Sequence, residues 1–98
     1  MTISEVKRRI KKNERELRES YKVKELYIFG SYAKGAARKS SDVDVLVEFS
    51  SESITLFDFL DLKEFLEKIL KTRVDLVTRD ALKDWMLAEF ERSAIRAA

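Results

Sequence analysis

Two aspartates separated by one residue, Asp42 and Asp44, begin the apolar stretch "DVDVLVEF". Side chains alternate across a β-strand, so both carboxylates project from one face while the intervening Val43 points to the other. Two carboxylates this close raise each other's proton affinity unless a cation lies between them. The spacing therefore predicts a divalent metal site at the start of a strand, although a solvated turn is the common alternative for this motif.

A third carboxylate, Asp75, stands between Val74 and Leu76 in "RVDLVT", which is typical of a short strand. An unpaired carboxylate buried there would cost on the order of several kcal/mol. If Asp75 were a third metal ligand, the metal would remove that cost. The alternative is that Asp75 lies exposed on an edge strand. We expect Asp75 to lie beside the first two aspartates.

A Gly-Ser pair, Gly30 and Ser31, ends the apolar stretch that precedes these aspartates. Glycine lets backbone N–H groups approach an anion closely, and the serine hydroxyl supplies another donor. Phosphate is the anion that suits such a turn, and basic residues on the following connection could neutralise a polyphosphate or simply form a solvated cationic loop. The candidate nucleotide- and phosphate-binding residues are Gly30, Ser31, Lys34, Arg38, Lys39 and Ser41.

The composition limits which metals and partners this site can use. The chain has no Cys and no His, so a metal must be a hard cation held by carboxylates, and Mg²⁺ or Mn²⁺ is expected. Twenty Lys and Arg nearly cancel eighteen Asp and Glu, leaving a formal charge of +2 and no strong signal for nucleic acid. No apolar run approaches the ~20 residues that span a bilayer, and the charged amino terminus is unlike a signal peptide. We therefore expect a cytoplasmic protein that does not enter a membrane.

Helical and strand patterns alternate along the chain. Apolar residues at helical spacing predict three helices, over residues 2–20, 55–70 and 81–95. Nearly continuous apolar runs predict three strands, over residues 23–29, 41–49 and 73–78, and the segment 32–37 is expected to form a short helix or turn. On the last helix the expected inward-facing residues, with partner contacts as the alternative, are Leu82, Trp85, Met86 and Phe90.

This alternation predicts an α/β fold, with a small β-sheet flanked by helices. The first two strands are joined by only about a dozen residues, which favours an antiparallel or mixed sheet over a fully doubly wound one. Ninety-eight residues are close to the usual size of one domain, so residues 1–98 are expected to form a single domain.

Taken together, Gly30-Ser31, ten intervening residues and Asp42-x-Asp44 resemble the signature of the DNA polymerase β-like nucleotidyltransferases. With the short chain and the later "RVDLVT", the sequence looks most like the minimal nucleotidyltransferases of the MntA type, which act as antitoxins beside HEPN-domain toxins. The resemblance implies a polymerase β-like fold in which Asp42, Asp44 and Asp75 bind two Mg²⁺ ions. It also implies that Gly30 and Ser31 hold the β- and γ-phosphates of ATP or another NTP.

The implied activity is transfer of AMP from ATP to a hydroxyl of a HEPN toxin. Two alternatives remain at the level of the sequence. The protein could neutralise its partner by binding alone, or it could be the subunit of a small-molecule nucleotidyltransferase of the aminoglycoside type. The aromatic residues of the last helix also leave room for a homo-oligomer.

Overall fold

Short helices and strands follow one another closely in the computed structural model, which describes residues 1–38 and 40–98. The helices are α1 (Ile3–Lys12), α2 (Glu14–Ser20), α3 (Gly30–Ala33), α4 (Leu56–Leu70) and α5 (Asp84–Ser93). The strands are β1 (Val23–Phe29), β2 (Val43–Phe49), β3 (Val74–Val77) and β4 (Ile95–Arg96), and a 3₁₀ turn spans Arg79–Ala81. This is the α/β arrangement that the sequence predicts.

The four strands form one mixed sheet in the order β3-β2-β1-β4. β1 pairs antiparallel with both β2 and β4, whereas β2 and β3 run parallel. The mixed sheet expected from the short connection between the first two strands is therefore confirmed. As a result, the end of β1 and the starts of β2 and β3 lie at the same end of the sheet.

The two faces of the sheet have different coverings. α1 and α4 cover one face and form the main core with it; its fully buried members include Val6, Ile10, Val43, Val45, Leu62 and Leu66. α5 covers part of the other face through a smaller core built on Phe29, Leu46 and Phe90. Because strand residues alternate, Asp44 belongs to this second face, and α5 is the helix that flanks it.

The first predicted helix is interrupted at Asn13, where α1 ends and α2 begins. The Asn13 side-chain amide donates to the Arg9 carbonyl oxygen at 2.8 Å, and that carbonyl is the one its own backbone N–H would use in a continuous helix. The backbone N–H turns to the Ile10 carbonyl at 3.1 Å instead. A single side chain competing with the backbone therefore breaks the helix.

The prediction for the last helix is wrong in two respects. The helix ends at Ser93, and Ile95 and Arg96 form β4 beside Ile28 and Tyr27 of β1. Trp85, expected in the core, is 71% exposed, whereas Phe90 is buried as predicted. In a helix, Trp85 lies roughly 140° around the axis from Phe90, so both cannot face the sheet.

Two leucines of α4 also lie outside the core. Leu56 and Leu60 are exposed, while the buried stripe of that helix consists of Leu62, Leu66 and Leu70. A capping box between Thr55 and Asp58 fixes the start of the helix. Every helix within the described residues is too short or too polar to span a lipid bilayer.

Candidate active site

The strand register places Asp44 at the centre of the candidate site. Asp44 on β2 pairs with Phe29 at the end of β1 on one side and with Asp75 of β3 on the other. Phe29 is followed directly by Gly30, so the Gly-Ser turn and two of the three predicted aspartates meet at one end of the sheet. The parallel pairing of β2 with β3 brings Asp75 beside Asp44, as the sequence predicts.

Gly30 is required by the backbone and by its neighbour. Its φ angle is +67°, a conformation that side chains strongly disfavour. A Cβ at this position would lie 3.0 Å from the Asp44 Cγ and would overlap the Asp44 Oδ2. The carboxylate of Asp44 thus occupies the space that a side chain at residue 30 would need, and the turn backbone lies directly against it.

The half-buried carboxylate of Asp44 has an unusual proton affinity. Its pKa is raised to about 6, first by burial and then by the negative charges of Asp75 and Asp42, with a further contribution from a hydrogen bond to Asp75. Raised proton affinity in adjacent carboxylates is the expected result of holding like charges together. A cation placed between them would favour the ionised form.

Asp42 and Asp75 are placed differently from Asp44. The carboxylate of Asp42, just before β2, forms an ion pair with Arg73 Nε at 3.1 Å. Asp75 is exposed on an edge strand, so the argument that burial would force it to bind a metal is wrong. The structure shows the alternative, an exposed position on an edge strand. Because Asp75 is accessible to solvent, it is open to a ligand.

The donor set suits a hard divalent cation. Asp44 and Asp75 present neighbouring oxygen ligands, the type that Mg²⁺ and Mn²⁺ prefer. Within residues 1–38 and 40–98, no group of three or more acidic side chains is gathered closely enough to hold a metal, because Asp42 faces Arg73. Both members of that ion pair are substantially exposed to solvent.

The predicted phosphate-binding residues lie in different surroundings. Gly30 and Ser31 begin α3, next to Asp44. Lys34 follows α3 but forms an ion pair with Glu89 of α5. The hydroxyl of Ser41 accepts a hydrogen bond from the backbone N–H of Arg38 at 2.9 Å, which shapes the loop before β2. Lys39 lies outside the described residues.

Sequence reasoning missed Glu89 and Arg73, which are the partners of Lys34 and Asp42. Both ion pairs join residues that are far apart along the chain, so no local spacing indicates them.

A Gly-Ser turn set against paired carboxylates is an arrangement that can bind a polyphosphate and a divalent cation together. Fold and site together define an enzyme of the phosphoryl- or nucleotidyl-transfer class.

Comparison with known proteins makes this class specific. The sequence profile of the nucleotidyltransferase domain matches residues 10–97. The protein adenylyltransferase MntA of Thermococcus cleftensis is 43% identical over 83 residues, covering 85% of this chain and 83% of that protein. The chain therefore belongs to the nucleotidyltransferase domain family, as the sequence motifs indicate, and it is an enzyme of that class.

Solved structures agree with the fold. A structure described as a candidate minimal nucleotidyltransferase has a TM-score of 0.80 and 35% identity, and the match covers 97% of this chain and 95% of that chain. A complex of a tri-AMPylated HEPN toxin with its MNT antitoxin, from Shewanella oneidensis, gives a TM-score of 0.67 at 20% identity. That match covers 99% of this chain and 72% of that chain, and it shows a shared fold.

Proposed function

We propose that this nucleotidyltransferase uses Mg²⁺ to transfer AMP from ATP to a hydroxyl of a HEPN-domain toxin, and thereby acts as its antitoxin. The observation that carries the proposal is the close approach of the Gly30 backbone to the Asp44 carboxylate, with Asp75 in register beside it. This proximity supports a turn that binds phosphate beside a carboxylate pair that binds a metal.

In the proposed reaction the acceptor hydroxyl oxygen attacks the α-phosphorus of ATP. A new bond forms from that oxygen to phosphorus, the bond from the α-phosphorus to the bridging oxygen breaks, and pyrophosphate leaves. Asp75 is exposed and reachable by an incoming acceptor, so it is suited to take the hydroxyl proton. Gly30 and Ser31 would hold the departing phosphates through their backbone and hydroxyl donors.

Asp42, Asp44 and Asp75 would hold the metal. When bound, two Mg²⁺ ions supply charge neutralisation for both the attacking and the leaving oxygen. Asp44 would bind the metal in its ionised form. Because the pKa of Asp44 is raised, that form costs free energy unless a cation lies beside it. Asp42 would first have to leave Arg73. Positioning and electrostatic stabilisation would thus provide most of the rate enhancement.

A protein acceptor is supported by the relatives and by the exposure of Asp75. The Thermococcus relative is a protein adenylyltransferase, and the toxin in the Shewanella complex carries AMP. Asp75 is exposed on the edge strand β3, where an acceptor with its own recognition surface can reach it. A small-molecule acceptor would instead need an enclosing pocket.

The test is to incubate the purified protein with Mg²⁺, α-phosphate-labelled ATP and lysate of the source cell. Label should appear on one protein band with the wild type and disappear with the Asp42→Ala/Asp44→Ala double variant. Asp61→Ala is the matched control, because Asp61 is an exposed aspartate on α4, behind the opposite face of the sheet. It should label the same band as the wild type.

Three other outcomes would contradict the proposal. Label on a small molecule and on no protein would favour the small-molecule enzyme. Absence of any label, together with absence of ATP binding by calorimetry, would favour a module that neutralises its partner by binding. Toxin neutralisation that survives the double variant would lead to the same conclusion.

A further inference from the structure

A basic groove lies along the first two helices, at the β4 edge of the sheet. Its walls come from α1, from α2 and from the segment that begins with Arg96 of β4, and its volume is about 690 Å³. The charged residues that line it are Lys7, Arg8, Lys11, Glu14, Arg18 and Arg96. Five cations therefore share one concave surface with a single carboxylate. Such a surface concentrates the electric field and attracts anions, which the formal charge of +2 for the whole chain conceals.

The exposed faces of α1 and α2 differ in how their charges are arranged. On α2, opposite charges lie four residues apart, as in the ion pair between Arg15 and Glu19 at 3.3 Å. On α1, Lys7 and Lys11 have the same spacing but like charges, which disfavours the helix. Lys7 and Arg8 are exposed and form no ion pair with any residue that the structure describes. An anion in the groove would offset this repulsion.

The other three cations of the groove are positioned by carboxylates. Lys11 and Arg18 both contact Glu14, at 3.2 Å and 3.4 Å respectively. Arg96, on the β4 side, pairs with Glu25 at 3.3 Å. Two carboxylates thus orient three cations, and the two exposed cations of α1 add further positive charge. The groove keeps a positive excess after every ion pair is counted.

The shape of the groove suits an extended anion. From Ser4 to Lys11 the lining follows one face of α1, a row roughly 10 Å long at 1.5 Å per residue, and Arg18 continues it on α2. A single phosphate group could contact only part of this row. The lining residues that the structure describes include no aromatic side chain, and their apolar part is Ala97 and Ala98. Protein interfaces and base-stacking sites both rely on aromatic side chains, so a chain of phosphates fits this lining better.

We propose that the groove binds the phosphate backbone of a nucleic acid. The contacts are ion pairs from Lys7, Arg8 and their neighbours to successive phosphates, so binding depends strongly on salt and little on base sequence. Asp44 lies on β2, and β1 separates β2 from the groove at the β4 edge. The inference therefore concerns a second site and does not rest on the proposed function.

The test measures binding of a fluorescein-labelled RNA hairpin to the purified protein by fluorescence anisotropy at several salt concentrations. A Kd of about 1–100 μM is expected at about 0.1 M salt, and the logarithm of the affinity should fall linearly with the logarithm of the salt concentration. A second hairpin of equal length and different sequence should bind equally well.

A pair of variants separates the groove from total charge. Lys7→Gln/Arg8→Gln should weaken hairpin binding roughly 3- to 30-fold and reduce the magnitude of the salt slope by about 1.5, because two phosphate contacts are lost. Its urea midpoint of unfolding should not fall, since both side chains are exposed and repel their neighbours on α1. Lys63→Gln/Lys68→Gln is the matched control, because it removes the same charge from α4, outside the lining of the groove, and should bind like the wild type.

Loss of binding confined to Lys7→Gln/Arg8→Gln would support the proposal. Equal losses in both double variants would overturn it, because total charge would then explain the attraction. Competition by a polyglutamate peptide as effective as that by an unlabelled hairpin of equal charge would assign the groove to an acidic protein segment instead. Equally effective competition by inorganic tripolyphosphate at the same molar concentration would assign it to a small anion. A Kd weaker than about 1 mM at about 0.05 M salt would exclude nucleic acid altogether.

Discussion

The carboxylate of Asp44 fills the space beside Gly30 that any larger residue would require. A Cβ added to Gly30 would lie 3.0 Å from the Asp44 Cγ and 3.4 Å from its Cβ, and the φ angle of Gly30 is +67°. Gly30 and Asp44 therefore cannot vary independently. This contact explains why a glycine directly after β1 accompanies an aspartate on β2.

Gly30→Ala should abolish nucleotide transfer and also reduce stability. The new Cβ would push the Asp44 carboxylate out of place, and the left-handed backbone would cost about 1–2 kcal/mol of unfolding free energy. We would measure transfer to the labelled acceptor and the urea midpoint of unfolding. We expect a loss of at least about 100-fold in transfer, on the scale of removing one preorganised group.

Gly35→Ala is the control for this substitution. Gly35 has a φ angle of +71°, but a Cβ there would meet nothing within 4 Å. It should therefore show a similar loss of stability with transfer largely retained. Equal losses of transfer in the two variants would mean that backbone strain, and not the contact with Asp44, explains the effect.

Asp44→Asn should abolish transfer yet stabilise the metal-free protein at neutral pH. The pKa of Asp44 is about 6 in the folded protein, above its ordinary value of 3.8. Between these values the folded state binds more protons than the unfolded state, so stability falls as pH rises from about 4 to 6 and remains lower above it. The penalty removed by the variant is about 1 kcal/mol, since solvent screens part of the shift.

Urea unfolding in EDTA at pH 4 and pH 7.5 measures this effect. The stability of Asp44→Asn relative to the wild type should be greater at pH 7.5 than at pH 4. The comparison between variants cancels the contribution of Glu14, Asp58 and Glu89, whose pKa values are lowered by Lys11, by the Thr55 backbone N–H and by Lys34 respectively. A difference in stability that does not change with pH would show that the pKa of Asp44 is not raised in the folded protein.

The placement of Asp44 was predictable because it follows from strand alternation, whereas Asp42 lies before β2 and pairs with Arg73. Val43 and Val45 enter the main core, so Asp44 must occupy the opposite face. The pairing of Asp44 with Asp75 needs the parallel register of β2 and β3, which no local pattern specifies. The family motifs supplied that relationship, and the structure supports it with the strand geometry.

The errors in the predicted helices and strands have physical causes. The break at Asn13 depends on one amide that competes for the Arg9 carbonyl. β4 is only two residues long and is stabilised by the backbone of β1, so its own sequence carries little strand signal. The orientation of α5 is fixed by Phe90 against Phe29 and Tyr27, and this choice leaves Trp85 exposed. In each case a tertiary or side-chain contact overrides a regular pattern.

Glu89→Gln should improve nucleotide binding if Lys34 serves the phosphates. Glu89 holds Lys34 in an ion pair, so Lys34 must leave that carboxylate to reach a phosphate. Exposed ion pairs of this kind are weak, and we expect the Kd for ATP to fall by roughly 1.5- to 5-fold. Lys34→Gln should raise it, and calorimetry with Mg²⁺ and α,β-methylene-ATP measures both.

Glu19→Gln is the matched control for Glu89→Gln. Glu19 forms an exposed ion pair with Arg15 on α2, which precedes β1 whereas Gly30 follows it, and Glu19 carries the same charge as Glu89. Its substitution should leave the Kd for ATP unchanged. If Lys34→Gln binds ATP as tightly as the wild type, Lys34 belongs to a solvated loop and its pairing with Glu89 is only structural.

Arg73→Gln should strengthen metal binding. Arg73 holds the Asp42 carboxylate at 3.1 Å, and removing that partner leaves Asp42 able to join Asp44 and Asp75 around a cation. The backbone hydrogen bond from the Val43 N–H to the Arg73 carbonyl oxygen is independent of the side chain and should keep the loop in place. Titration with Mn²⁺ followed by electron paramagnetic resonance should show a Kd lowered by roughly 2- to 5-fold.

Arg79→Gln separates this local effect from a change in total charge. Arg79 is paired with Glu48 at 2.9 Å, so its loss removes the same charge without releasing Asp42. An equal gain in Mn²⁺ affinity for both variants would mean that the overall field of the protein is responsible. A gain confined to Arg73→Gln would identify Asp42 as a metal ligand, and no gain would leave the site to Asp44 and Asp75, with the Asp42 ion pair serving to fix the start of β2.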